Sequence, residues 1–115
     1  MKAAAAALAL LATTAAAAGE PWAVAGRQGV VLQVIVPEAE ARERSAYDRE
    51  LARLCASEQT CFVNFYTNTS GAPVSLPLAD AIAHEATATF RRSGKRGAAV
   101  FTWSCRLQVP NEACF

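Results

Sequence analysis

The apolar positions of this chain change period as it is read. Val30-Val31-Leu32-Gln33-Val34-Ile35-Val36 is a nearly unbroken β-branched run, opened by Gly29 and stopped by Pro37, and it predicts a strand. Only Gln33 interrupts it, so both faces are expected to be covered, as in a central strand. Glu38 to Arg44 is a charged connection. Ser45 and Asp48 stand at capping-box spacing, which predicts a helix start at Ser45. Tyr47, Leu51, Leu54 and Cys55 then recur at i, i+4, i+7 and i+8, with Arg49, Glu50 and Arg53 mainly on the other face, and the period fades after Ala56.

Residues 61–67 alternate again, with Cys61, Val63 and Phe65 one way and Phe62, Asn64 and Tyr66 the other, a second strand. Asn68 to Leu76 has loop composition. After Pro77, the spacing of Leu78, Ile82, Ala86 and Phe90 predicts a second helix, with Arg91 and Arg92 in its last turn and Gly94 as its stop. Lys95-Arg96-Gly97 reads as a turn. Ala98 to Leu107 alternates as a third strand, and Gln108 to Phe115 is a tail bent at Pro110-Asn111. The expected fold is therefore a small α/β (or α+β) domain of order β-α-β-α-β. Its three-stranded sheet packs with two helices. Helix-length crossovers favour parallel neighbours, and the pattern leaves room for one antiparallel strand.

The N-terminal segment changes the picture of where this domain works. Lys2, the Ala/Leu run from Ala3 to Ala12 and the small residues to Ala18 follow the order of a secretory signal peptide, with cleavage expected near Ala18-Gly19. Its apolar stretch is shorter than the roughly 20 residues of a spanning helix, so no stable membrane insertion is expected after cleavage. The expected organisation is a signal peptide over 1–18, an irregular arm over 19–28 with Trp22 available to pack on the body, and one globular domain over 29–115. Without Lys2, the eleven Lys and Arg fall to ten, against ten Asp and Glu. A balance near zero argues against nucleic acid and against an anionic membrane surface as partners. The Ala- and Arg-rich usage resembles that of small periplasmic proteins of bacteria, so a periplasmic or secreted location is expected.

Export allows the four cysteines to be oxidised. Cys55, Cys61, Cys105 and Cys114 admit three pairings. The local one, Cys55 with Cys61 and Cys105 with Cys114, is preferred because each pair straddles a chain reversal. No Cys-x-x-Cys redox motif is present, and ligand spacing for zinc is lacking.

Other candidates are each weighed against a plain structural role. His84 is the only histidine, with Asp80 four residues before it, and could serve as a general base, but no nucleophile elbow or His-Glu-x-x-His motif accompanies it. Arg91, Arg92, Lys95 and Arg96 could meet an anion or an acidic partner. They also fit a helix C-terminus followed by a solvated turn. Glu38, Glu40 and Glu43 are interrupted by Arg42 and Arg44, which argues against a cation site. Phe62, Phe65, Tyr66, Phe101 and Trp103 form either a core or, on an uncovered sheet face, a binding platform. Asn68-Thr69-Ser70 is a formal glycosylation sequon. Phe115 either caps the core or is presented to another protein.

No catalytic motif, metal site or cofactor site is read from the sequence. The expected function is a protein-interaction module, an accessory subunit or an inhibitor. An anion- or small-molecule-binding module ranks second, and a small hydrolase using His84 third.

Overall fold

The computed structural model describes residues 20–55, 59–94 and 97–115. The predicted signal peptide, Gly19, the end predicted for the first helix at Ala56, and Lys95 and Arg96 lie outside them. The described chain is α+β, with a five-stranded mixed sheet in the order β1-β2-β3-β4-β5. Three of its strands were expected, and two were not.

Ala23–Gln28 (β1) takes the place of the irregular arm and pairs antiparallel with Val31–Ile35 (β2). The turn between them is only Gly29-Val30, with Gly29 at φ 61°, a backbone that glycine adopts without strain. Val30 merges into the β-branched run behind it, so the turn left little trace in the sequence. A bulge falls between Val24 and Gly26. At Gly26 φ is 149°, and an added Cβ would lie 2.7 Å from Leu76 Cδ1. Gly26→Ala should therefore lower stability by about 1–3 kcal/mol, read as a lower urea midpoint at unchanged slope.

Arg44–Leu54 (α1) carries the chain from β2 to Cys61–Tyr66 (β3), and the two strands pair in parallel, Leu32 beside Val63 and Val34 beside Phe65. The helix begins one residue before Ser45, and its N-cap position, Glu43, makes no side-chain capping bond. Asp48 bonds the Arg44 guanidinium instead, at 3.1 Å. Glu50, expected on the outer face, is buried. Its carboxylate accepts the Trp22 backbone N–H at 2.7 Å and the Arg53 guanidinium at 2.8 Å, so a buried charge is compensated and the start of β1 is tied to the helix.

The second predicted helix survives only as Asp80–Ala83 (α2). Ala86–Arg92 (β4) is a strand, antiparallel to β3 and to Ala99–Trp103 (β5). The spacing fits both structures. Leu78, Ile82, Ala86 and Phe90 are four apart, and four is a helical spacing but also an even one, equally compatible with a strand. Thr87, Thr89 and Phe90 supply β propensity, and β4 gains ladder partners on both sides. The third predicted strand ends at Trp103, after which Cys105–Leu107 forms a 3-10 turn.

Alternation sends Val34, Val63, Phe65, Ala88, Phe90 and Trp103 into one core under α1. Tyr47 is the hub of that core. Its ring meets Trp22, Phe65, Phe101 and Trp103 edge to face at centroid distances of 5.1, 4.9, 5.2 and 5.2 Å. Its hydroxyl donates to Ala41 O at 2.7 Å and lies 2.8 Å from the Thr87 hydroxyl. Cys55 is bonded to Cys61 and Cys105 to Cys114.

Candidate functional site

The residues singled out from sequence do not converge on one place. His84 follows α2 and is exposed; among the described residues no side chain hydrogen-bonds its ring, and its tie to Asp80 is the backbone bond from His84 N to Asp80 O. Glu38, Glu40 and Glu43 are dispersed. Glu40 accepts the Trp22 indole N–H at 2.9 Å and Arg49 at 3.0 Å, Glu43 sits at the N-cap of α1, and Glu38 lines a hollow with Thr67, Glu85 and Arg106. The Asn68 side chain closes its own loop, donating to Ala72 O and accepting from the Ala72 N–H and the Ser70 hydroxyl.

Arg91 and Arg92 lie on β4, not at a helix end. The Arg91 guanidinium donates to Val63 O, Phe90 O and Asn64 Oδ1 at 3.1, 2.9 and 2.7 Å and lies over the Phe62 ring, while Arg92 donates to Gln59 O. Arg91 is thereby largely committed to holding β3 and β4 together. The five aromatics divide between the two faces of the sheet. Phe65, Phe101 and Trp103 join the core, and Phe62 and Tyr66 take the opposite face, half-buried.

A polar hollow of about 270 Å³ opens where β2 and β3 end, lined by Glu38, Arg42, Thr67, Thr69, Glu85 and Arg106 among others. Glu85 and Arg106 carried no signal in the sequence, because three separated segments bring them together. Glu85 accepts the Thr67 hydroxyl at 3.0 Å and the Thr69 hydroxyl at 2.8 Å, together with the Thr69 N–H. Arg106 donates to Ala86 O, Glu85 O and the Thr67 hydroxyl. Partial burial works against the Glu85 carboxylate, yet the Thr69 and Thr67 bonds and the Arg106 charge outweigh it and hold its pKa below the ordinary value. Glu50 is lowered in the same way, with burial opposed by Trp22 and Arg53. Glu40 is lowered by its bonds from Trp22 and Arg49.

These depressed carboxylates contribute stability that is present above their unfolded pKa, near 4.5, and lost as pH falls through the folded values. Urea midpoints are expected to be flat near neutrality and to fall below about pH 4.5. Glu85→Gln should lower the neutral midpoint and flatten that acid limb.

The most open feature of the fold is the β5 side of the sheet. Trp103 O accepts the Phe115 N–H at 3.0 Å, and Cys105 N donates to Phe115 O at 2.9 Å, so the tail lies along the end of this edge, fastened by Cys105–Cys114. Trp103 therefore turns its carbonyl away from β4, and by strand alternation so do Phe101 and Ala99. Among the described residues no backbone group pairs with Ala99 or Phe101 on that side. Beside them a shallow groove of about 570 Å³ runs between α1 and the strands, with Leu51, Ala52, Cys55 and Phe90 in its wall and Ala99 at its mouth. Val100, which alternation turns to the opposite face of the sheet, and Phe115 in the tail are 54% and 51% exposed.

No protein-family model, curated protein or solved structure matches the chain. Among the described residues there is no cluster of three or more His, Cys, Asp or Glu that could hold a metal, and no helix long and apolar enough to cross a membrane.

Proposed function

We propose that this protein is a small exported interaction module, an accessory subunit or inhibitor that holds a partner protein against a rigid surface in the periplasm or outside the cell. The observation that carries this reading is the open β5 side. Apolar side chains and unpaired backbone groups are presented there on a body fixed by two disulfides. The signal-like segment and the oxidised cysteines support the location, with leader removal near Ala18-Gly19. A partner surface needs only about 800 Å² per side, which a body this small can offer more readily than a deep cleft. Crosslinking of the tagged, oxidised protein in its native compartment should recover one stoichiometric partner. Repeated recovery of the free monomer alone would end the reading.

A second reading is favoured by the polar hollow. Arg42, which has no hydrogen bond or ion pair to any described residue, faces Arg106 and Thr69 across a space sized for a small polar ligand. A thermal-shift panel of small anions and zwitterionic metabolites tests it, with a dose-dependent rise lost in Arg42→Ala as the supporting result. The hydrolase reading around His84 gains no neighbour from the fold.

A further inference from the structure

Edge strands of soluble proteins are usually blunted by bulges, charges, proline or a covering segment. This sheet treats its two edges differently. The β1 edge has the bulge before Gly26, Leu76 packed against Gly26, and the charge of Arg27. β5 reads Ala-Val-Phe-Thr-Trp, without charge, proline or bulge, and its own tail covers only the Trp103 end. The tail also shows that this edge accepts a strand: Phe115 and Trp103 already make the ladder bond.

We propose, building on the interaction-module reading, that the free stretch of the β5 edge at Ala99–Phe101 binds an extended segment of a partner protein as an added strand, with a large apolar side chain opposite Ala99 and carboxylates flanking it. Main-chain bonds to Ala99 and Phe101 supply the affinity, and alternate side chains supply the specificity. The small side chain of Ala99 leaves the mouth of the groove open. An apolar side chain from the added strand fills it against Leu51, Cys55 and Phe90.

Charge selects the flanks. Arg44, Arg92 and Asp48 line the groove, with Asp48 paired to Arg44 and the Arg44 guanidinium lying 3.9 Å over the Phe101 ring. The sequence from Ser93 to Ala98, which leads into β5, carries two cations, Lys95 and Arg96, and no anion. A second copy is a poor occupant. Gly97 to Trp103 brings no carboxylate, and in antiparallel self-pairing the incoming strand would run into the tail at Trp103.

The test is an amide-detected NMR titration of the oxidised ¹⁵N-labelled protein with three synthetic octapeptides. The first alternates Thr with Val and Leu between terminal Glu residues. The second carries terminal Lys instead, and the third a central Pro. The Glu peptide is expected to shift the Ala99 and Phe101 amides and slow their exchange, with at least tenfold weaker binding of the other two. Ala99→Pro removes the outward N–H without touching the β4 ladder, and should cost at least tenfold in binding at unchanged melting temperature. Ala99→Lys, which keeps the N–H but places a charged chain in the groove mouth, should do the same if the proline variant folds poorly.

Equal binding of all three peptides, shifts confined to the Phe62–Arg91 face, no shift at millimolar peptide, or concentration-dependent dimerisation lost in Ala99→Pro would each overturn the proposal. A crosslinked partner that binds Ala99→Pro as well as the unaltered protein would leave the module reading standing and end this inference.

Discussion

Loss of both disulfides is expected to cost about 5 kcal/mol, comparable to the whole stability of a domain this size. The bridges span sequence separations of 6 and 9. Chain entropy assigns about 2.4 kcal/mol to closing the shorter loop and about 2.7 kcal/mol to the longer. On that basis alone the tail bridge would matter slightly more. Burial reverses the order. Cys55 and Cys61 are part of the core at the junction of α1 and β3, whereas Cys105 and Cys114 are exposed. Cys55→Ser with Cys61→Ser also places two hydroxyls among apolar neighbours, adding about 1–3 kcal/mol for each left without a partner. The pair Cys105→Ser with Cys114→Ser frees the tail and exposes the Trp103 end of β5, leaving the hub intact. Thermal melts of the two double variants should therefore show the larger fall for the core pair, by about 4–8 °C for each additional kcal/mol. A larger fall for the tail pair would mean that the β5 end, not the α1–β3 junction, holds the fold together.

The sequence was legible where one period dominated. The β2 run, the Tyr47–Leu51 face of α1 and the alternation of β3 and β5 each had a single interpretation, because their apolar positions fit one periodicity and propensity agreed with it. It was opaque where two periods coincide, as in the fourfold spacing from Leu78 to Phe90. It was opaque also where pairing overrides weak propensity, as in Ala23–Gln28. Calling β4 a helix removed a central strand and with it the antiparallel half of the sheet. The same error turned Arg91 and Arg92 into helix-end charges when they are cross-strand ties. Glu50 was expected on the outer face and Glu85 carried no signal, both for a different reason. A buried carboxylate is recognised by its partners, and Trp22, Thr67, Thr69 and Arg106 come from distant parts of the chain. The openness of the β5 edge was hidden for the same reason, since an edge exists only once the strand order is known.

That strand order gives the sheet its asymmetry. The covered face of the sheet is spent on the Tyr47 core, and the bulge and Leu76 close the β1 side. What remains open is the other end of the sheet, where a disulfide-pinned tail has already been added beside Trp103. Under the proposed edge pairing, stability and recognition are separated along the sheet, so substitutions at Ala99 are expected to change binding, while substitutions at the hub report on the fold.

At the hub, Tyr47→Ala should lower stability by about 3–5 kcal/mol, as for other large aromatic side chains cut from a core. Tyr47→Phe keeps the four edge-to-face ring contacts and removes only the hydroxyl, leaving Ala41 O and the Thr87 hydroxyl without it, at about 1–3 kcal/mol. The two variants also differ from the unaltered protein in their response to alkali. Burial pushes the Tyr47 phenol up to about 12, with the Thr87 hydrogen bond and the Arg106 charge pulling the other way. A phenol whose folded pKa exceeds its unfolded value of about 10 contributes stability that is intact below pH 10 and is lost as pH rises through the folded pKa. Two units correspond to about 2–3 kcal/mol, lost progressively between about pH 10 and 12. Urea midpoints taken from about pH 8 to 11 should therefore decline for the unaltered protein and stay flatter for Tyr47→Phe, whose buried ring has no proton to lose. Parallel decline in both proteins would place the alkaline transition elsewhere in the molecule and remove Tyr47 from its cause.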